Sequence, residues 1–202
     1  IAAYGAALYY SNDVGVTSRT VNTTIAGNKL TSSNGGAICT YAFSTVLKNS
    51  FTNGIVWGNT KSVTGTIDLT NSIVEGGYSS GSAILNINPA FIAPISDTAA
   101  PDTVGDYRLQ PCSPAINVGI NDSIPATIIV DLDNHQRIYA TNGTVDLGAY
   151  EYQSIPPGKN KYDTLIQTAC QGDSVLFNNQ WLTAPGIYND TLLTSNGCDS
   201  FL

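Results

Sequence analysis

The chain has 202 residues, a net charge of −7, 11% charged side chains and no Met. A length of this size allows one domain or two. With no long Leu/Ala/Glu/Lys run helix does not dominate, no basic stripe offers nucleic acid a surface, and no apolar stretch is long enough to span a membrane.

Short β-branched runs between Gly, Asn and Ser clusters read as strands throughout, so the chain is expected to be all-β. In chain order the first signal is Gly5-Ala6-Ala7-Leu8-Tyr9, matched by Gly35-Gly36-Ala37-Ile38-Cys39 with Ala7 aligned on Ile38. Small residues there permit close stacking of successive coils. Between and after them comes a repeated word. Asn22-Thr-Thr-Ile25-Ala-Gly27-Asn28 matches Asn53-Gly-Ile-Val56-Trp-Gly58-Asn59, and both match Asn71-Ser-Ile-Val74-Glu-Gly76-Gly77. A fixed word at unequal spacing suits coils whose turns vary while one strand and its corner are kept, as in a parallel β-helix. Ile25, Val56 and Val74 would point inward and stack. The glycines would supply a positive φ at a corner, and Asn22, Asn53 and Asn71 would form an inward ladder bonding the turn backbone.

After about residue 85 the word stops. Prolines at Pro89 and Pro94 disfavour a central strand. Short candidate strands follow at Tyr107–Leu109, Ser113–Ile116, Thr127–Val130 and Leu147–Tyr150. A stack needs its open end covered, so residues 86–153 are assigned to a cap. Residues 154–161, with Pro156-Pro157-Gly158, read as a linker. Residues 162–202 alternate in short runs, Thr164–Thr168, Ser174–Phe177, Gly186–Tyr188 and Thr191–Leu193, and read as a small sandwich-like β module. The expected division is therefore 1–85 coils, 86–153 cap, 154–161 linker and 162–202 module. The chain starts at Ile1 and stops within a strand pattern at Phe201-Leu202. It is expected to be part of a longer protein that carries export and anchoring signals elsewhere.

Charge is uneven along these parts. Residues 1–85 hold four basic and three acidic side chains, and residues 86–202 hold four and twelve. Cys170 and Cys198 bracket the terminal module and are read as a disulfide, because a module of about 40 residues buries little core. Whether Cys39 and Cys112 pair is open. A single His135 and no C-x-x-C spacing argue against structural zinc.

Several ordered motifs carry a family resemblance: Ile55-Val-Trp-Gly-Asn59, Asn71-Ser-Ile-Val-Glu-Gly-Gly-Tyr78, Asn88-Pro-Ala-Phe91, Gly105-Asp-Tyr-Arg-Leu109, Ser113-Pro-Ala-Ile116, Asp131-Leu-Asp-Asn134, Arg137 and Asp146-Leu-Gly-Ala-Tyr-Glu151. Over residues 1–153 the chain resembles bacterial right-handed parallel β-helix proteins of the pectate-lyase-like superfamily, of the kind called choice-of-anchor. Asn134-His135-Gln136 departs from the Gly-Asn-Pro usual there. Cys170-Gln-Gly-Asp-Ser174, Gly186-Ile-Tyr-Asn-Asp190-Thr-Leu192 and Gly197-Cys-Asp-Ser200 resemble a small repeat module of Bacteroidetes surface proteins. The resemblance implies an outer-surface or extracellular location. It also implies partnership with secretion or anchoring machinery, of the type IX kind, through a region C-terminal to this chain. It further implies O-glycosylation at hydroxyls preceded by Asp: Thr98, Thr103, Ser123, Thr164, Ser174 and Thr191.

For chemistry, the acids of the repeat region, Asp13, Asp68 and Glu75, are too scattered for calcium-assisted lyase chemistry or paired-carboxylate hydrolysis. Asp131, Asp133 and Asn134 offer hard oxygens to Ca²⁺. The preferred reading of that stretch is a turn with side chains bonding backbone, closed by an Arg137–Asp146 ion pair. Tyr4, Tyr9, Tyr10, Tyr41, Trp57 and Tyr78 could serve a carbohydrate platform or pack between coils, and the sequence leaves both open. The expected function is a noncatalytic structural or adhesive surface protein with polysaccharide or cell-surface glycan as partner. The alternative is a polysaccharide-active enzyme whose site lies upstream of this chain.

Overall fold

The computed structural model describes residues 5–12, 17–31, 33–42, 49–100, 103–140, 142–154, 168, 170, 172–177, 180–188, 191–193 and 199–201. The chain divides into two compact units, Ile1–Ser154 and Ile155–Leu202.

The first unit is all-β, built on a curled parallel sheet. Its strands are β1 (Gly5–Asn12), β2 (Arg19–Val21), β3 (Thr24–Ala26), β4 (Gly36–Ala42), β5 (Ser50–Thr52), β6 (Ile55–Trp57), β7 (Val63–Thr64), β8 (Asp68–Val74) and β9 (Ser82–Leu85). They stack in register as rungs. β1, β4 and β7 form one parallel sheet, and β2, β5, β8, β6 and β3 form the other, with β9 added to β8. Long β8 serves as partner to both β5 and β6, so the two edges of each earlier rung merge in it.

The pairing follows the repeated word. Ile25 lies opposite Val56, and Val56 opposite Val74. The asparagines of the three words stand 31 and then 18 residues apart. The next rung comes twelve residues on, with Thr70 opposite Ser82. Successive pairings thus come at shorter spacing along the chain, 31, 18 and then 12 residues. In the other sheet Leu8, not Ala7, faces Ile38, because the register shifts between Gly5 and Leu8. One irregular residue moves every following side chain to the opposite face. That is why Tyr10 is buried while its neighbour Tyr9 is 52% exposed.

Alternation along the strands makes two cores. Inward residues from both sheets, among them Tyr10, Ile25, Ile38, Phe51, Val56, Leu69 and Val74, fill the space between the sheets. The outward residues of the same rungs, Ile55 and Ile73, are equally buried, but in a second core with Phe91, Leu109, Ala115, Ile116 and Leu147. Each of these large side chains gains about 2 kcal/mol by leaving water.

That second core shows where residues 86–153 lie. They run along the flank of the stack and touch all three words of the repeat, at Asn22, Asn53 and Asn71. Regular structure in the flank is sparse. Among its described residues it has one antiparallel strand pair, β10 (Phe91–Ala93) with β11 (Asp106–Leu109), and 3-10 turns at Asp97–Ala99 and Asn121–Ser123. The stretches expected as strands at 113–116 and 147–150 are turns and bends, and of 127–130 only Val130 makes a bridge, to Gln136.

The second unit shows two antiparallel pairs: β12 (Val175–Phe177) with β13 (Gln180–Leu182), and β14 (Thr191–Leu193) with β15 (Asp199–Phe201). Gly186–Tyr188, expected as a strand, is irregular. The linker residues 155–161 and the expected strand at 164–167 lie outside the described residues.

Candidate functional site

The polar groups of unit 1 converge on the seam between the stack and its flank. Asn22, Asn53 and Asn71 sit at φ 48°, 54° and 47°. They turn the chain in the left-handed region that Asn tolerates better than most residues. Their side chains stack: Asn71 Nδ2 donates to Asn53 Oδ1 at 3.2 Å, and Asn53 Nδ2 to Asn22 Oδ1 at 3.4 Å. Each also bonds the flank. Asn22 Nδ2 donates to the Asp146 carbonyl, Asn53 Nδ2 to that of Ile120 and Asn71 Nδ2 to that of Val118, all at 2.9 Å. Asn53 Oδ1 accepts the Ile120 amide at 2.8 Å. The ladder therefore satisfies irregular flank backbone that has no sheet partner. A second stack runs at the far corner of the word, where the Asn28 amide and side chain both donate to Asn59 Oδ1 at 2.9 Å.

Above the ladder lies a buried charged cluster. Arg137 donates to the carbonyls of Ala149, Asp146 and Gly148 at 2.9, 3.3 and 2.7 Å. It meets Asp146 through that carbonyl. Its ion-pair partner is Glu151, at 4.0 Å, so the Arg137–Asp146 pair expected from the sequence is replaced. The Nε of Arg137 is buried with no partner among the described residues. The carboxylates are spent on backbone amides. Asp146 accepts from Asn117 and Tyr152 at 2.7 and 2.6 Å, and Glu151 from Tyr139 and Asp146 at 3.1 and 3.0 Å. Burial drives Asp146 up to about 6 and Glu151 up to about 7, against the lowering effect of those amides. Burial also lowers Arg137, opposed by Glu151, Asp131 and Asp146.

The turn at 131–135 brings Asp131, Asp133 and His135 together, with one potential ligand atom from each within 4.8 Å of the others. Their oxygens have protein partners, however. Asp131 accepts the amides of Asp133, His135 and Glu151, each at 2.9 Å. Asp133 is held in a two-pronged pair by Arg108 at 2.6 and 2.7 Å, which lowers its carboxyl below the ordinary range. Arg108 in turn lies over the Tyr150 ring, 5.1 Å from its centre. Asn134 contributes the turn itself, at φ 63°. A cation there would have to displace backbone amides and an arginine.

The aromatic candidates do not form one platform. Tyr10 is buried and shares a 2.5 Å hydrogen bond with Thr20 across the interior. Trp57 packs on the flank core. Tyr78 packs on the inner core, and its hydroxyl accepts the Ile67 amide. Tyr9 alone of the four is exposed. Tyr4 and the side chain of Tyr41 lie outside the described residues. Of the hydroxyl candidates, Thr98, Thr103 and Ser174 are exposed, while Ser123 is half-buried with its carbonyl bonded by Arg19. Thr191 is described only as backbone of β14, and Thr164 lies outside the described residues. Cys39 is a buried free thiol, raised by burial, so it does not pair with Cys112. Cys170 is an exposed free thiol, and Cys198, its expected partner, lies outside the described residues.

The flank also carries an open groove of about 610 Å³, lined mainly by Ile124, Pro125, Ile128, Ile129 and Ile138, with Asn121, Gln136 and Arg137 as polar members. No signal in the sequence marked it, because its walls come from turns without periodicity. Its lining contains no aromatic ring, so it lacks the stacking face a sugar would use. No family model matches this chain, and no curated protein or solved structure matches it.

Proposed function

We propose that the protein is an extracellular or outer-surface scaffold with a structural or adhesive role, and that its first unit is the end of a right-handed parallel β-helix. The carrying observation is the in-register stack, in which one word recurs in the inner core, at the asparagine ladder and at the corners. Rungs tied by backbone bonds and side-chain ladders resist bending, which suits a spacer or display surface. The carboxylates of the flank support this reading. Asp131, Asp146 and Glu151 hold backbone amides, and Asp133 holds Arg108.

On this reading the chain is exported cargo, of the type IX kind. Exposed Thr98 and Ser174 are acceptors for glycan. The ligand class is polysaccharide or cell-surface glycan. Two measurements on the native protein test this. Surface proteolysis of intact cells should cleave the protein, and peptide mass spectrometry should find hexose on peptides containing Thr98 or Ser174. Protection from external protease together with unmodified peptides would reject the location. Degradation of an acidic polysaccharide by the purified chain would replace the scaffold by the polysaccharide-active alternative.

A further inference from the structure

Among the described residues the seam between flank and stack holds a buried charged centre, and its charges do not balance. Arg137, Asp146, Glu151 and Asp131 are 3%, 1%, 4% and 8% exposed. Three carboxylates thus surround one guanidinium. The stack faces them with uncharged groups: Asn22 donates to the Asp146 carbonyl, Thr24 Oγ1 accepts the Ala149 amide, and the Asn53 carbonyl accepts the Gly148 amide. From the flank itself, Asn117, Tyr139 and Tyr152 present backbone amides. His135, which is exposed, touches the cluster through its amide on Asp131, and the Arg108–Asp133 pair is partly exposed on the same turn.

We propose that this cluster is a pH-responsive clasp, holding residues 117–152 on the curled sheet more firmly in mild acid than in mild alkali. With every acid ionised the centre carries two uncompensated negative charges in a medium that screens them poorly. The repulsion acts where it matters for the fold. The same carboxylates hold the amides of Asn117, Tyr139, Asp146 and Tyr152, and residues 146–149 carry the bonds to Asn22, Asn53 and Thr24. Asp146 and Glu151, raised by burial to about 6 and about 7, titrate above their open-chain values near 4. The closed flank therefore holds more protons than the open one between those limits. Its stability is greatest at the acid end of that window and is lost as pH rises through the folded values. The Arg108–Asp133 pair has the opposite sign. Its carboxyl is depressed, so its contribution is lost only below the ordinary carboxylate range and does not mask the effect.

Hydrogen exchange on the full chain, corrected for intrinsic rates, tests the clasp between about pH 5.5 and about pH 8. The flank amides Gly148, Ala149 and Tyr152 are compared with the stack amides Ile73 and Glu75, which bond to the carbonyls of Gly54 and Val56. The opening constant of the flank should rise about tenfold or more across that range, while that of the stack stays level. Glu151→Gln should remove most of the rise. A flank equally protected at both ends of the range overturns the proposal, as does a rise shared equally by the stack. If Glu151→Gln does not fold, the flank-against-stack comparison in the unsubstituted protein still decides.

Discussion

Asn53 is fully buried, and it combines three duties: a backbone at φ 54°, a rung of the ladder, and both hydrogen bonds to the Ile120 peptide groups. Asn53→Ala keeps the strained backbone and strands the Ile120 N–H and C=O. It should cost unit 1 about 3 kcal/mol in denaturant unfolding. Asn53→Gly removes the same side chain but relaxes the turn, and should recover about 1 kcal/mol of that loss. Equal losses in the two variants would mean that the φ contributes nothing. At this scale the sequence was informative, because an Asn–Gly word states its own backbone demand. It was uninformative about Arg137. An ion pair with Asp146 was the expectation, yet the guanidinium pairs with Glu151 and bonds three carbonyls.

Among the elements, the rungs and the flank are joined by close approach as well as by hydrogen bonds. Gly148 lies at φ 90°, and a Cβ there would stand 2.6 Å from Thr24 Oγ1 and 2.9 Å from Ile55 Cδ1. Gly148→Ala should therefore push the flank off β3 and β6, at a cost of about 2–4 kcal/mol in unit 1. A change within about 0.5 kcal/mol would show that the flank yields without strain. The strands themselves were legible as β-branched runs. Their inner and outer assignment was less so, since a one-residue shift before Leu8 reverses the face of Tyr9 and Tyr10. Aromatic residues read as a possible sugar platform were thereby distributed between two cores and the surface.

For the molecule as a whole, the division at Ser154 and Ile155 makes the two units separately testable. Substitutions at Asn53 or Gly148 should lower the unfolding transition of the first unit and leave that of residues 155–202 in place. A parallel shift of both in calorimetry would show that the units unfold together. The uneven charge also has a structural correlate. The acid-rich flank places Asp131, Asp146 and Glu151 in its interior, where they organise backbone. A count of acids along the chain shows that they concentrate after residue 85, and not that any of them is buried.

By itself the sequence determined the all-β character, the repeated word and its unequal spacing, because strand preference and positive-φ corners are local demands that residue types announce. The offsets of 31 and 18 residues between the asparagines are the offsets at which the rungs pair. Only the tertiary structure decided that residues 86–153 lie along the flank, that Ile55 and Ile73 serve a second core, and that three acids gather on one arginine. The first of those choices joins residues as far as 67 and 125 positions apart, Asn53 with Ile120 and Thr24 with Ala149. Such contacts depend on shape and on which backbone groups are left unpaired, and neither leaves a period in the chain.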